Sequence, residues 1–235
     1  MNQEPPLLSI VVPVRNQSRK LTLFLFEIYR YFESRKETFE VIVVDDGSRD
    51  QTSYVVEKLS KEFESLKVIA HSEPLGLGLA ARKGISESAG SFIVLTRPSL
   101  GSQGLDVLLG GLTTSREGVF FEAVPLRSTL WPPALFFLAL WKIFHWVLGW
   151  FVVGGVSARL GPILFSRSIA EELVRLGHVV HGGYEFELIL LAKKMHKPVG
   201  LRPSSHPFTV WSFPFFYFLT VIKEVVRVSF RLLRK

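Results

Sequence analysis

The stretch Val41–Thr52 reads VIVVDDGSRDQT, and its order decides the fold. Four apolar, mostly β-branched residues make a run that is hydrophobic on both faces, as in a strand covered by helices on each side. The run stops at two carboxylates, Asp45 and Asp46, and Gly47 turns the chain. Ser48 or Asp50 then stands where a side-chain oxygen caps a following helix. Successive residues of a strand point to opposite faces, so Asp45 and Asp46 cannot share one task. One is placed to accept hydrogen bonds from a base or ribose while the other orders the loop or faces phosphates. On local pattern alone, Asp46-Gly47-Ser48 also reads as a plain turn and cap.

Outward from this stretch the same alternation repeats. LLSIVVPV (7–14) precedes it, LKVIAHS (66–72) and SFIVLT (91–96) follow, and helical patterns over Gln17–Phe32, Gln51–Phe63 and Gly76–Ser88 separate them. Such an order predicts a mostly parallel, Rossmann-type α/β sheet that binds a nucleotide at the ends of its strands. GVFFEAVPL (118–126) extends the sheet.

Composition changes along the chain. Residues 1–100 carry 13 basic and 13 acidic side chains, residues 101–235 carry 15 and 8, and all five Trp lie between Trp131 and Trp211. Tryptophan with excess Lys and Arg suits a surface touching anionic lipid headgroups. The basic residues are mixed with long aliphatic runs, so a membrane is the expected partner and nucleic acid is not. Cysteine is absent, which excludes disulfides, thiolate catalysis and Cys-based zinc sites. The start of the chain has neither a basic leader nor a cleavage pattern, so the α/β domain is expected on the cytoplasmic side of the membrane. Ala134–Val153 is apolar apart from Lys142 and His145 and long enough to span a bilayer, to lie in its interface, or to form a core helix. After Pro214, Thr220, Lys223, Arg227, Arg231 and Arg234 fall on one helical face, the pattern of a lipid-surface helix or of a terminal helix docked on the domain. The expected divisions are an α/β domain over 1–127, a membrane-interface or inserted segment over 128–160, the remainder of the domain over 161–209, and a basic amphipathic helix over 210–235. The six histidines are scattered and read as structural or surface residues.

Two further motifs flank the acidic pair. VVPVRN (Val11–Asn16) ends the first strand, and PLGLGLAARKGI (Pro74–Ile85) places glycines before a helix bearing Arg82 and Lys83. Glycines at a helix start let an anion approach backbone N–H groups. In this order and spacing, over about residues 7–127, the three motifs resemble the family-2 inverting glycosyltransferases of GT-A fold, in particular those that move a sugar from a nucleotide to a polyprenyl or dolichyl phosphate. The resemblance implies a nucleotide site at Pro13, Asn16, Gln17 (the family's usual Glu), Asp45, Asp46, Gly76 and Arg82. It also implies a nucleotide-sugar donor, a polyprenyl-phosphate acceptor, a membrane location and a homo- or hetero-oligomer.

Departures from that pattern carry as much meaning. Where the family keeps an Asp-x-Asp that binds Mg²⁺ or Mn²⁺ under the diphosphate, this chain has Arg97, Pro98 and Ser99. A guanidinium offers no lone pair to a metal, but it clamps a diphosphate directly, so Arg97 and Ser99 are read as nucleotide contacts and no metal ligand is identified. Arg127 matches a family arginine near phosphate, and GGYEFELILLAKKMHKPVGLRP (182–203) resembles the family's Phe-Asp-x-Glu helix, with Glu185 and Glu187 in register. Glu187 is the candidate acceptor-side acid or base. It is equally a Glu paired with Lys193 or Lys194. Three readings follow: a membrane-surface sugar transferase working without the usual metal or with ligands not identified, a catalytically inactive subunit of the same fold that serves as partner or scaffold in a membrane complex, or a lipid-surface binding module with no nucleotide.

Overall fold

A computed structural model describes residues 5–98, 102–112, 119–124, 126–127, 159–176, 184–203 and 208–209. In chain order its elements are β1 (Leu8–Val14), α1 (Ser18–Glu33), β2 (Phe39–Asp45), α2 (Thr52–Ser60), β3 (Leu66–Ala70), α3 (Leu77–Glu87), β4 (Phe92–Leu95), α4 (Ser102–Leu112), β5 (Val119–Val124), β6 (Leu126–Arg127), β7 (Arg159–Ser166), α5 (Arg167–Leu176), α6 (Tyr184–Lys194), β8 (Val199–Pro203) and β9 (Phe208–Thr209).

Seven strands form one sheet in the order β3-β2-β1-β4-β7-β5-β8, and β6 pairs with β9 in a separate ribbon. The strands β3, β2, β1 and β4 run parallel, β7 is antiparallel to both β4 and β5, and β8 is parallel to β5. β5 joins the sheet as the sequence predicts, but β7, from some forty residues later, sits between it and β4. The Ala134–Val153 and post-Pro214 segments lie outside the described residues. Among the described residues no helix is long and apolar enough to cross a membrane.

Both faces of the sheet are covered, which explains strands that are apolar on both sides. On one face α1 presents Leu21, Phe24, Leu25, Ile28 and Phe32 to Ile10, Val12, Val41 and Val43, beside Val56 and Leu59 of α2 and Leu105 and Leu108 of α4. These α1 positions recur at helical spacing, and burying each such side chain contributes about 1.5–3 kcal/mol. The other face packs Ala81 and Ile85 of α3, Ile169 and Leu173 of α5 and Leu188 and Leu191 of α6 on Val11, Ile93 and Phe165. Gly84 is what lets α3 lie so close, because a Cβ there would meet Val11 Cγ1 at 2.5 Å.

A polar knot fixes the amino ends of the strands. Buried Glu40 accepts hydrogen bonds from Ser9 Oγ (2.6 Å) and Ala89 N (2.6 Å) and pairs with Lys67 Nζ at 2.7 Å. Gly90 N donates to Ser9 Oγ, and Arg167 Nε donates to Gly90 O, so α5 is tied to the same point. Burial pushes the Glu40 carboxyl up, but the bonds from Lys67, Ser9 and the Ala89 N–H outweigh it and hold the group below its ordinary value.

Candidate nucleotide-binding site

The order β3-β2-β1-β4 means that the chain moves outward from β1 to β3 and then returns to the other side of β1. The reversal between β1 and β4 is a topological switch point, where the loops after adjacent strands diverge and open a crevice at the carboxyl ends. VVPVRN ends at this crevice on β1. Thr96 N donates to Val11 O at 3.0 Å, so Arg97 leaves β4 directly beside it. Pro13 is buried in β1, opposite Val44, and the Arg97 side chain is half-buried.

Three loops at this end are tied into one unit. Asn16, in the left-handed region at φ 53°, donates its N–H to Ser48 Oγ (2.9 Å) and accepts Arg49 N on Oδ1 (2.8 Å). Asn is among the few residues that hold this conformation readily. Gln17 N donates to Thr52 Oγ1 at 2.9 Å, and Ser18 N reaches Asp50 Oδ2 at 3.3 Å. Gln51 occupies the N-cap of α2, with no side-chain cap bond of its own; Asp50 accepts the Thr52 N–H at 2.9 Å. Burial and these bonds oppose each other at Asp50, and the bonds from Thr52 and Ser18 win, leaving its carboxyl below the ordinary value.

The two buried carboxylates diverge, as neighbours at a strand end must. Asp45, 1% exposed, serves its own loop: Oδ1 accepts Ser48 N (3.1 Å) and Ser48 Oγ, and Oδ2 accepts Ser53 Oγ. Asp46, also 1% exposed, crosses to the β3–α3 loop, where Oδ1 accepts Leu75 N (2.8 Å) and Gly76 N (3.1 Å) and Oδ2 accepts Gly76 N (3.0 Å). His71 Nδ1 completes the set at 3.2 Å from Asp46 Oδ1. Both acids therefore hold loops together. Gly47 is required between them: its φ is +63°, and a Cβ would stand 2.6 Å from Glu73 C and Pro74 N.

Gly76, at φ 111°, is the N-cap of α3, and Ala80 N closes the first turn onto its carbonyl. The N–H groups of Leu77, Gly78 and Leu79 precede that first helical bond and have no partner within the helix, which makes this terminus an anion-receiving end. Arg82 is half-buried one turn further on, and Lys83 is turned outward to Glu87. Gly78 is buried inside the helix instead of forming part of the loop.

The remaining expected residues lie elsewhere. Ser99 is outside the described residues. Arg127 is placed on β6, in the ribbon with β9. Glu187 is 2% exposed on α6, which packs on β5 and β8 at the far side of the sheet from β2, and Glu185 lies one residue into the same helix. His71 is the residue that sequence reasoning missed. Its spacing to other histidines and acids says nothing, but its place one residue past β3 puts it at the same edge as Asp46.

The chemistry of the donors bears on a divalent cation. Mg²⁺ and Mn²⁺ take oxygen ligands, preferably anionic. At the end of β4 stand a guanidinium and a proline, and the oxygens of Asp45 and Asp46 already serve protein donors. Among the described residues no group of three or more His, Asp or Glu could hold a metal ion. The described residues do not fit such an ion.

A doubly covered sheet with a loop-built crevice at its switch point defines a doubly wound α/β protein. Residues 9–96 match the family model described as Glycosyl transferase family 2. The chain is 31% identical over 215 residues to the human dolichyl-phosphate beta-glucosyltransferase, an alignment covering 82% of this chain and 64% of the relative, and 28% identical to the Drosophila melanogaster protein of the same name over the same shares. It thus spans 64% of the length of these relatives. Among solved structures, glucosyl-3-phosphoglycerate synthase from Mycobacterium tuberculosis in complex with UDP superposes with a TM-score of 0.72 at 16% identity, covering 97% of this chain and 80% of the other. The mannosyltransferase PcManGT from Pyrobaculum calidifontis, in complex with GDP-Man and Mn²⁺, gives 0.64 at 17% identity, covering 99% and 65%. The glycosyltransferase family 2 match lies on residues 9–96, the fold is the GT-A fold of these neighbours, and the chain resembles the dolichyl-phosphate beta-glucosyltransferases.

Proposed function

We propose that the chain moves a sugar from a nucleoside diphosphate to a polyprenyl phosphate at a membrane surface, and that it holds the donor's diphosphate without a divalent cation. The observation that carries this reading is the switch-point crevice between β1 and β4, with Arg97 just past the end of β4 and the loops after β1, β2 and β3 tied together by Asn16, Asp46 and their partners. The likeness to dolichyl-phosphate beta-glucosyltransferases supports the acceptor class, and the solved neighbours, in complex with UDP or GDP-Man, support the donor class. The Trp-rich, basic second part of the sequence supports the membrane surface.

The chemistry asks little of the protein beyond placement. A phosphate oxygen of the lipid attacks the anomeric carbon, the bond from that carbon to the diphosphate breaks, and the nucleoside diphosphate departs with the electron pair. The attacking oxygen is already anionic near neutral pH, so positioning and charge stabilisation dominate. Charge develops on the departing diphosphate, where the N–H groups of Leu77, Gly78 and Leu79 and the Arg97 guanidinium stand to receive it. Pro13, Asn16 and Gln17 form the wall on the β1 side, with Arg82 behind the start of α3. Ser99 is assigned with Arg97 to the nucleotide, Arg127 to a phosphate, and Glu187 is the acceptor-side acid or base.

The test is a titration of the full chain with UDP, GDP and their sugars, with Mn²⁺ and with a chelator, followed by sugar transfer to a polyprenyl phosphate in lipid vesicles. Binding that ignores the metal, with transfer, is the expected result. Binding with no transfer to any offered acceptor favours a non-catalytic subunit of the same fold. The pair Arg97→Asp with Ser99→Asp is expected to make binding depend on Mn²⁺. Tight binding by the wild type only when Mn²⁺ is present would overturn the arginine-served site.

A further inference from the structure

We infer that His71 is a positioning residue of this site: through Asp46 it holds Leu75 and Gly76, and with them the start of α3, in the geometry that receives a nucleoside diphosphate. The role rests on the nucleotide-site reading.

Both ends of the lock are anchored to the sheet. Asp46 N donates to Val14 O and His71 N donates to Asp45 O, each at 2.9 Å, so neither backbone can follow the loop if the loop moves. Between them stands a carboxylate 1% exposed. A buried carboxylate needs donors, and Asp46 finds them in two amides of the β3–α3 loop and in His71, whose side chain is 14% exposed. A carboxylate accepts only, so the His71 tautomer that serves this contact is the one with its proton on Nδ1. Three donors thus converge on Asp46 Oδ1. Two of them belong to the loop being held, and the third comes from a side chain fixed on the neighbouring strand end.

The consequence for a ligand follows from where the loop leads. Gly76 is both the residue bonded to Asp46 and the N-cap of α3, so the orientation of the first free N–H groups of α3 is set by this contact. Without a donor at position 71, Asp46 is held by the amides of the loop alone and loses its tie to the β3 end, and the loss falls on the aim of those groups. The interior of the sheet is untouched.

Two substitutions separate the hydrogen bond from the bulk. His71→Asn keeps an N–H donor close to the place of Nδ1, and His71→Leu keeps the volume but offers none. For each variant and the wild type, UDP and GDP affinity is measured by calorimetry, and amide hydrogen exchange at Leu75 and Gly76 is followed without nucleotide. His71→Leu is expected to bind about three- to tenfold more weakly, the equivalent of one net hydrogen bond, with faster exchange at both amides. His71→Asn is expected to stay within about twofold of the wild type. Equal losses in both variants, or an unchanged affinity in His71→Leu, would overturn the role. A wild type that binds neither nucleotide overturns the nucleotide reading and this role in binding together, and the exchange at Leu75 and Gly76 tells that case from a lock that never existed.

Discussion

Replacing Gly47 by Ala tests whether the loops after β2 and β3 form one unit. Two costs can be worked from the structure. The residue sits at φ +63°, a conformation that costs a residue with a Cβ about 1–2 kcal/mol. The new Cβ would also lie 2.6 Å from Glu73 C and Pro74 N, backbone atoms that must retreat by about 0.8 Å to reach an ordinary 3.4 Å contact. Forcing that much into a packed place costs a further ~1–3 kcal/mol. The sum, about 2–5 kcal/mol, corresponds to a fall in Tm of roughly 5–15 °C for a chain of this size. The retreat occurs one or two residues before Leu75 and Gly76, the amides on Asp46, so UDP affinity should fall together with stability. Gly47→Asn separates the two costs, since Asn tolerates the left-handed region but brings the same Cβ. Gly110→Ala is the control: nothing lies within 4 Å of a Cβ there, and Ala in a helix is favoured over Gly by about 0.5–1 kcal/mol. Denaturant unfolding monitored by circular dichroism, with UDP calorimetry, supplies both readouts. A Gly47→Ala chain as stable as the wild type and unchanged in UDP affinity would refute the reasoning.

Other perturbations probe separate parts of the molecule. The depressed Glu40 carboxyl contributes stability that is present above the unfolded carboxylate range and is lost as pH falls through the folded value. The stability gap between wild type and Glu40→Gln should therefore be widest near neutral pH and shrink below about pH 4, as urea midpoints at each pH will show. Tyr31 OH donates to Asp106 Oδ1 at 2.6 Å, and Arg35 adds a 2.7 Å contact to the same oxygen, tying α1 to α4. Burial first, then Asp106, raises the Tyr31 phenol, and Tyr31→Phe should cost ~1 kcal/mol by the same unfolding assay with UDP affinity unchanged. Glu187→Gln preserves shape and removes charge; loss of sugar transfer with UDP binding intact would support its acceptor-side role, and unaltered transfer would remove it.

What the sequence made legible was local. VIVVDD and its companion runs fix strands covered on both faces because β-branched residues on both sides of a strand have no use in water, and the amphipathic spacing of Leu21, Phe24, Leu25 and Ile28 fixes α1. The interposition of β7 between β4 and β5 was not legible, because strand order is set by pairing across some forty residues and leaves no local signal. In the site, adjacency of Asp45 and Asp46 correctly implied different neighbours. The identity of those neighbours did not follow, since Ser53, Leu75, Gly76 and His71 meet the pair only through tertiary structure. Gly47 shows the distinction well. Its place in a turn is plain from the sequence, whereas the reason it must lack a Cβ lies 26 and 27 residues away, in Glu73 and Pro74.

The committed carboxylates change the electrostatics of the crevice. Asp46 sits on the N–H of the α3 N-cap, so part of the positive end of that helix is already answered by a protein anion. A diphosphate arriving there meets a terminus whose attraction is reduced, and it carries more negative charge than Asp46 itself. Helix N–H groups alone are then a weak claim on it, and a cation nearby becomes the deciding contribution. With Asp45 bonded to its own loop and Asp46 to the β3–α3 loop, the proposed site draws that cation from the chain, and the residue leaving β4 at the switch point is Arg97. The Thr96 N–H on Val11 O fixes the backbone just before it to the sheet, and a guanidinium presented from such a point loses less freedom on gripping an anion than one on a long loop.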